Sequence, residues 1–246
     1  MAGTLPALGL GALAVPGAAH AASPDAPLHI VCIGAHPDDP ESGCGGTLAR
    51  FTAAGWRVTI VYLTRGEAGI PGKTHAQAAA IRTAEAEAAC RILRATPVFA
   101  GQIDGATEFN HARYAAFIEL LRPRRPDLIF THWPVDTHPD HEVAALLGWR
   151  AYLALRPRLG LYFYEVDLGG ETFGFSPNHY VDIGAVVAQK KAALFAHQSQ
   201  HPAEIWDDYH REMENFRGRE AGVQQAEAFV ELTRLWPQGG LPNVLS

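Results

Sequence analysis

Two four-residue segments hold the side chains from which chemistry is most readily built: His36-Pro37-Asp38-Asp39 and, much later, His138-Pro139-Asp140-His141. His36 and Asp39 are three apart and face one point if the chain turns helically, and His138 and His141 stand in the same relation. Two nitrogen or oxygen donors from each segment would surround a cation. Imidazole and carboxylate without thiolate suit Zn2+ in a catalytic site, where three protein ligands leave a position for water. Iron, cobalt and manganese accept the same donor types. Asp38, beside a ligand, is a second carboxylate able to take a proton from a bound water, and His138 can face the developing oxyanion or a leaving amine. Either segment alone also reads as turn and helix-start chemistry, since Pro and Asp form turns and an acidic residue suits the positive end of a helix. The two together favour the metal reading.

The elements that must position these segments can be read from periodicity. A buried-type apolar run, His29 to Ala35, ends at the first segment, and a second run covers Val58 to Leu63. Between them Gly43 to Ala54 reads as a helix whose glycines allow close approach to the sheet or a ligand. Thr74 to Gln77 has capping-box spacing before an Ala-rich helix to about Arg94, with Ile81, Ala84, Ala88 and Ile92 at helical intervals. Pro97 to Phe99 suggests a third strand, His111 to Leu121 a helix and Leu128 to Thr131 a fourth strand. A further helix starts near Pro139. Leu161 to Val166 and Tyr180 to Ile183 suggest strands, Ala185 to Gln198 and Asp208 to Phe216 helices. This alternation predicts an α/β fold: a Rossmann-like, doubly wound, mostly parallel sheet with flanking helices. In such sheets ligands bind beyond the carboxyl ends of the strands, where both segments fall.

The chain has 246 residues, 48% hydrophobic and 19% charged, which is enough for one sizeable core; residues 24–246 read as a single domain. A net charge of −6 argues against a polyanionic partner such as nucleic acid and favours a small molecule. Residues 1–23 hold no charged side chain and end near Ala19-His20-Ala21, which resembles a signal-peptidase site, although the basic start of a signal peptide is missing. The expectation is a secreted or periplasmic protein, with a cytoplasmic one carrying a flexible leader as the alternative. Cys32, Cys44 and Cys90 have no CxxC spacing and read as small core residues. Gly43, Gly45 and Gly46 match neither common phosphate-loop spacing. Trp133, Trp149, Trp206 and Trp236 read as packing residues, and His197-Gln198-Ser199-Gln200 as a helix cap or a rim contact.

Ala35 to Glu41, Gly45-Gly46-Thr47-Leu48 and His138 to His141 together resemble the signature of the PIG-L/LmbE-like de-N-acetylases, over roughly residues 28 to 200. Leu63 to Glu67 and Arg82 to Glu85 also match family positions. The resemblance implies zinc on His36, Asp39 and His141, with Asp38 as general base. It implies that His138, protonated, stabilises the tetrahedral intermediate or protonates the amine, that Asp140 orients a histidine, and that Arg82 and Asp104 contact sugar hydroxyls. It further implies hydrolysis of the N-acetyl group of an N-acetylglucosamine-type sugar or conjugate, and assembly into a homo-oligomer. Pro40 stands where many relatives have Glu, and Trp133 to Thr137 replaces a stretch in which some relatives carry a mobile Tyr. Hydrolysis of another small amide, a phosphoesterase using the same metal, which the ligand count for a single ion disfavours, and a non-catalytic sugar-binding module are the competing readings.

Overall fold

The computed structural model describes residues 27–155, 159–166 and 169–232. The leader at 1–23 and Trp236 lie outside the described residues. The elements run β1 (His29–Gly34), α1 (Asp39–Ala53), β2 (Arg57–Tyr62), α2 (His75–Leu93), β3 (Thr96–Phe99), α3 (His111–Leu121), β4 (Leu128–His132), α4 (Pro139–Leu155) and β5 (Gly160–Tyr164). They continue through β6 (His179–Asp182), α5 (Val187–Leu194), α6 (Pro202–Ile205), α7 (Arg211–Ala221) and β7 (Ala226–Glu231). Among the described residues one sheet of seven strands has the order β3-β2-β1-β4-β5-β7-β6. The first five run parallel, and β7 pairs antiparallel with both β5 and β6.

Strand alternation splits the core between the two faces of the sheet. Ile30 and Cys32 pack with Cys44, Leu48 and Phe51 of α1 and with α2, whereas Val31 and Ile33 pack with Phe117 of α3 and Leu147 of α4. Strands covered on both faces need apolar residues at successive positions, which is why β1 is buried throughout. From β1 the order runs outward to β2 and β3 on one side, and from β4 to β5 on the other. The loops leaving β1 and β4 therefore diverge over a crevice at the point where the strand order reverses.

Three differences from the sequence-based reading have physical causes. Helix α1 begins at Asp39 rather than Gly43, with Pro40 in its first turn and Asp39 and Glu41 at the positive end of its dipole. Helix α2 has the predicted reciprocal Thr74–Gln77 capping box, but its buried side is Ala78, Arg82, Ala86, Ala89 and Leu93, while Ile81 is exposed. An Ala-rich helix has little apolar contrast to set its phase, and a buried arginine disguises the inward face. Strand β7 was not predicted, because its sequence AEAFVE carries two glutamates. One of them, Glu227, is buried against Lys190 Nζ at 2.8 Å and accepts the N–H groups of Gly46 and Thr47 at 2.8 and 2.7 Å. A carboxylate thus occupies donors that a phosphate loop would present.

Cys32, Cys44 and Cys90 are buried core residues, as read from sequence. Among the described residues no helix is long and apolar enough to cross a membrane.

Gly43 lets α1 pack by its backbone onto the end of β5: a Cβ there would lie 2.4 Å from the Tyr164 ring and 2.5 Å from the Glu165 carbonyl oxygen. Gly43→Ala should therefore destabilise the fold by about 1–3 kcal/mol through overpacking, against an intrinsic helix preference of about 1 kcal/mol for Ala. Urea unfolding measures the balance, and an unchanged midpoint would refute the packing argument.

Candidate metal centre and active site

After β1 the chain folds back on itself. The His36 N–H donates to Asp39 Oδ2 at 2.7 Å. Asp38 takes a φ of 113°, a conformation that side chains other than glycine rarely adopt and that costs about 1–3 kcal/mol. Arg82 Nη2 holds that turn by donating to the Pro37 carbonyl and to Asp38 Oδ2, the latter at 2.8 Å.

The second segment leaves β4 at His132 and enters α4 with Asp140 and His141 both buried. His141 Nε2 lies 3.5 Å from Asp39 Oδ1, and its Nδ1 lies 3.1 Å from Asp136 Oδ1. His36 Nδ1 is 3.4 Å from Asp39 Oδ2, while its Nε2 faces Asp140 at 3.1 Å and Asp104 at 3.2 Å. Asp140 is itself fixed by the Gly105 N–H at 2.8 Å and the Thr107 hydroxyl at 2.5 Å. The His138 ring sits 4.6 Å from His36 and 4.8 Å from His141.

These donors fit a divalent cation. Donor atoms of His36, His138 and His141, and likewise of Asp39, His132 and His141, lie within 4.8 Å of one another. His36 Nδ1 and His141 Nε2 approach different oxygens of the Asp39 carboxylate, Oδ2 at 3.4 Å and Oδ1 at 3.5 Å, so Asp39 lies between the two imidazoles. The far ring nitrogens of His36 and His141 face carboxylates, the usual support for a metal-bound imidazole.

The electrostatics agree. Burial opposes protonation of His36, but Asp39, Asp104 and Asp140 outweigh it and hold its pKa well above the ordinary value. Burial likewise opposes protonation of His141, and Asp39 and Asp136 outweigh it to about 10. Burial raises Asp39, yet His141, His132 and His36 bring it well below the usual carboxylate range. Asp38 is raised, by burial first and with Arg82 opposing. His138 is lowered by burial and by the neighbouring His36 and His141, so it rests neutral at pH 7 rather than protonated.

Of the residues singled out from sequence, His36, Asp38, Asp39, Asp104, His138, Asp140 and His141 come together. Asp140 faces His36. Asp104 does so as well, and it also lines the cleft. Arg82 lines the cleft but is 3% exposed, and its partner is Asp38 rather than Glu85 of its own helix. Sequence reasoning missed His132, Asp136, Thr107 and Glu171. His132 is fully buried, stacks on His141 at 4.1 Å, and is lowered to about 4 by burial and the charge of His141. Its position as the last residue of β4, at a carboxyl strand end, was the available signal. The cleft holds about 440 Å3, within the range of small-molecule sites, and its lining also includes Val166, Leu194 and Ile205.

The profile of the PIG-L family, described as GlcNAc-PI de-N-acetylase, matches residues 31–152. Diacetylchitobiose deacetylase of Thermococcus kodakarensis is 31% identical over 216 residues, covering 80% of each chain. The chain belongs to the PIG-L de-N-acetylase family. Within the solved structures, N,N'-diacetylchitobiose deacetylase of Pyrococcus horikoshii shares the fold with a TM-score of 0.76 at 24% identity, covering 85% of this chain and 86% of that one. The 4-carboxy-2-hydroxymuconate hydratase of Pseudomonas putida KT2440 shares it too, at a TM-score of 0.72 and 19% identity over 87% and 99% of the two chains. The PIG-L-type fold thus also serves a protein named for a different reaction, and function has to be argued from side chains.

A cation bound by His36 and His141 would displace the protons that the two imidazoles, both raised in pKa, carry at pH 7 in the metal-free protein. Both pKa values are raised, so affinity should climb as pH rises toward the pKa of His141. Calorimetric titration with zinc in buffers of different ionisation enthalpy should give about two protons released per ion. Release of none would contradict this charge state.

Proposed function

We propose that this chain is a metal-dependent N-deacetylase that hydrolyses the acetamido group of an N-acetylglucosamine-type sugar or conjugate, leaving acetate and the free amine. The observation that carries this reading is the placement of Asp38 and His138 around the His36–Asp39–His141 donor set in one cleft of a PIG-L family chain. His36, Asp39 and His141 would hold the ion, zinc being the choice that donor type favours, with iron, cobalt or manganese as alternatives. A cation there polarises the amide carbonyl and acidifies water.

The chain's own residues then carry the proton. Asp38, half-buried and raised in pKa, takes one from the attacking water, and Arg82 holds its carboxylate in place. His138 starts neutral and hydrogen-bonds from Nε2 to the oxygen that gains charge, while the proton that Asp38 took from water passes to the departing amine. The Asp140 N–H donates to His138 Nδ1 at 3.2 Å, which leaves Nε2 to act. The names of the relatives support the substrate class, since two are diacetylchitobiose deacetylases and others act on an acetamido-glucopyranosyl inositol.

Acetate release from a panel of N-acetylglucosamine conjugates tests the reading, with His141→Ala as the metal-ligand control. Asp38→Asn should lower kcat about 10²–10⁴-fold while retaining its metal. Loss of metal in parallel with activity would remove Asp38 from the role of base. Metal-loaded wild-type protein that releases no acetate from any conjugate would favour another amide substrate or a binding function.

A further inference from the structure

The His197-Gln198-Ser199-Gln200 segment meets the elements around the catalytic turn at three points. Ser199 donates from its N–H and its hydroxyl to the Glu85 carboxylate, each at 2.7 Å, one turn beyond Arg82 on α2. Gln200 Nε2 donates to the Gly69 carbonyl at 3.2 Å. Gly69 belongs to the loop wrapped around the Arg82 guanidinium, where Gly66, at a φ of 66°, could carry no Cβ without meeting Arg82 at 2.4 Å.

The third point is His197, fully buried, with Nε2 3.6 Å from Glu41 Oε2. That distance is too long for a direct hydrogen bond. Glu41 stands two residues after Asp39 on α1, and its other oxygen accepts from the Tyr62 hydroxyl at 2.6 Å. Among the described residues four buried atoms have no hydrogen-bond partner here: Glu41 Oε2, Arg82 Nε and both ring nitrogens of His197. Arg82 and Asp38 both lie within electrostatic reach of His197. Their capacities are complementary, because the carboxylate oxygen only accepts, the guanidinium Nε only donates, and imidazole can do either. Unpaired buried groups of this kind are costly, and a closed polar site with such partners is where proteins hold an internal water.

We propose that Glu41, Arg82 and His197 form a site for one buried water, and that through it His197 is a positioning residue that holds Arg82, and by way of Arg82 the Asp38 carboxylate. This builds on the deacetylase reading for its kinetic consequence only. Removing the imidazole frees the guanidinium to turn toward Glu41, which takes Asp38 away from the attacking water.

The experiment is a high-resolution crystal structure of the zinc-loaded protein and of its His197→Leu variant, with kinetics on both and on His197→Gln. The wild type should show one water hydrogen-bonded to Glu41 Oε2, Arg82 Nε and His197. His197→Leu should lose the water and the Arg82–Asp38 bond, and kcat should fall at least tenfold with KM and zinc content within twofold. His197→Gln, which restores a polar group, should recover most of kcat. The proposal is overturned by a dry wild-type site, by an Arg82–Asp38 bond that survives in His197→Leu, or by a loss of stability with unchanged kcat. Should the wild type release no acetate, the deacetylase reading fails while the crystallographic comparison still decides the water site.

Discussion

Much of the arrangement at the cleft depends on one buried carboxylate. Asp39 accepts the His36 N–H, lies 3.1 Å from His132 at the end of β4, and faces His36 and His141 at 3.4 and 3.5 Å. It ties the loop after β1 to both the strand and the helix of the second segment. A carboxylate only 5% exposed would be expensive to bury alone. Three imidazoles offset that expense, and the result is a concentrated charge cluster that a cation can enter in place of protons.

The same need for fixed geometry explains how α1 is held. Its start is a strained Asp38 locked by Arg82, its middle rests on Tyr164 through Gly43, and its Gly46 and Thr47 N–H groups are held by Glu227 beside buried Lys190. A site carried on one rigid helix and the start of another keeps its donors in register without the loops having to order them. Backbone strain at Asp38 is affordable because its neighbours over-determine it.

Legibility followed the range of the interactions. The His29–Ala35 run, the Thr74 capping box and the His111–Leu121 helix are set by contacts within a few residues, and each was readable. The inward face of α2 was not, because Arg82 is buried by a partner 44 residues away. Strand β7 escaped for a similar reason: Glu227 looks like a surface residue until Lys190 and α1 are brought to it. Asp104 and Arg82 were read as sugar contacts; both line the cleft, and folding also gives each a partner from a distant segment, His36 and Asp38.

The amino-acid sequence by itself determined the strand and helix alternation, the two His/Asp segments and their place at carboxyl strand ends, because periodicity and spacing are local properties of the chain. Tertiary structure alone decided which carboxylate supports which histidine, that His132 and Asp136 join the cluster, and that Arg82 serves Asp38. Those choices are made between residues far apart in sequence, and the charge state of each side chain depends on how deeply the assembled fold buries it beside the others.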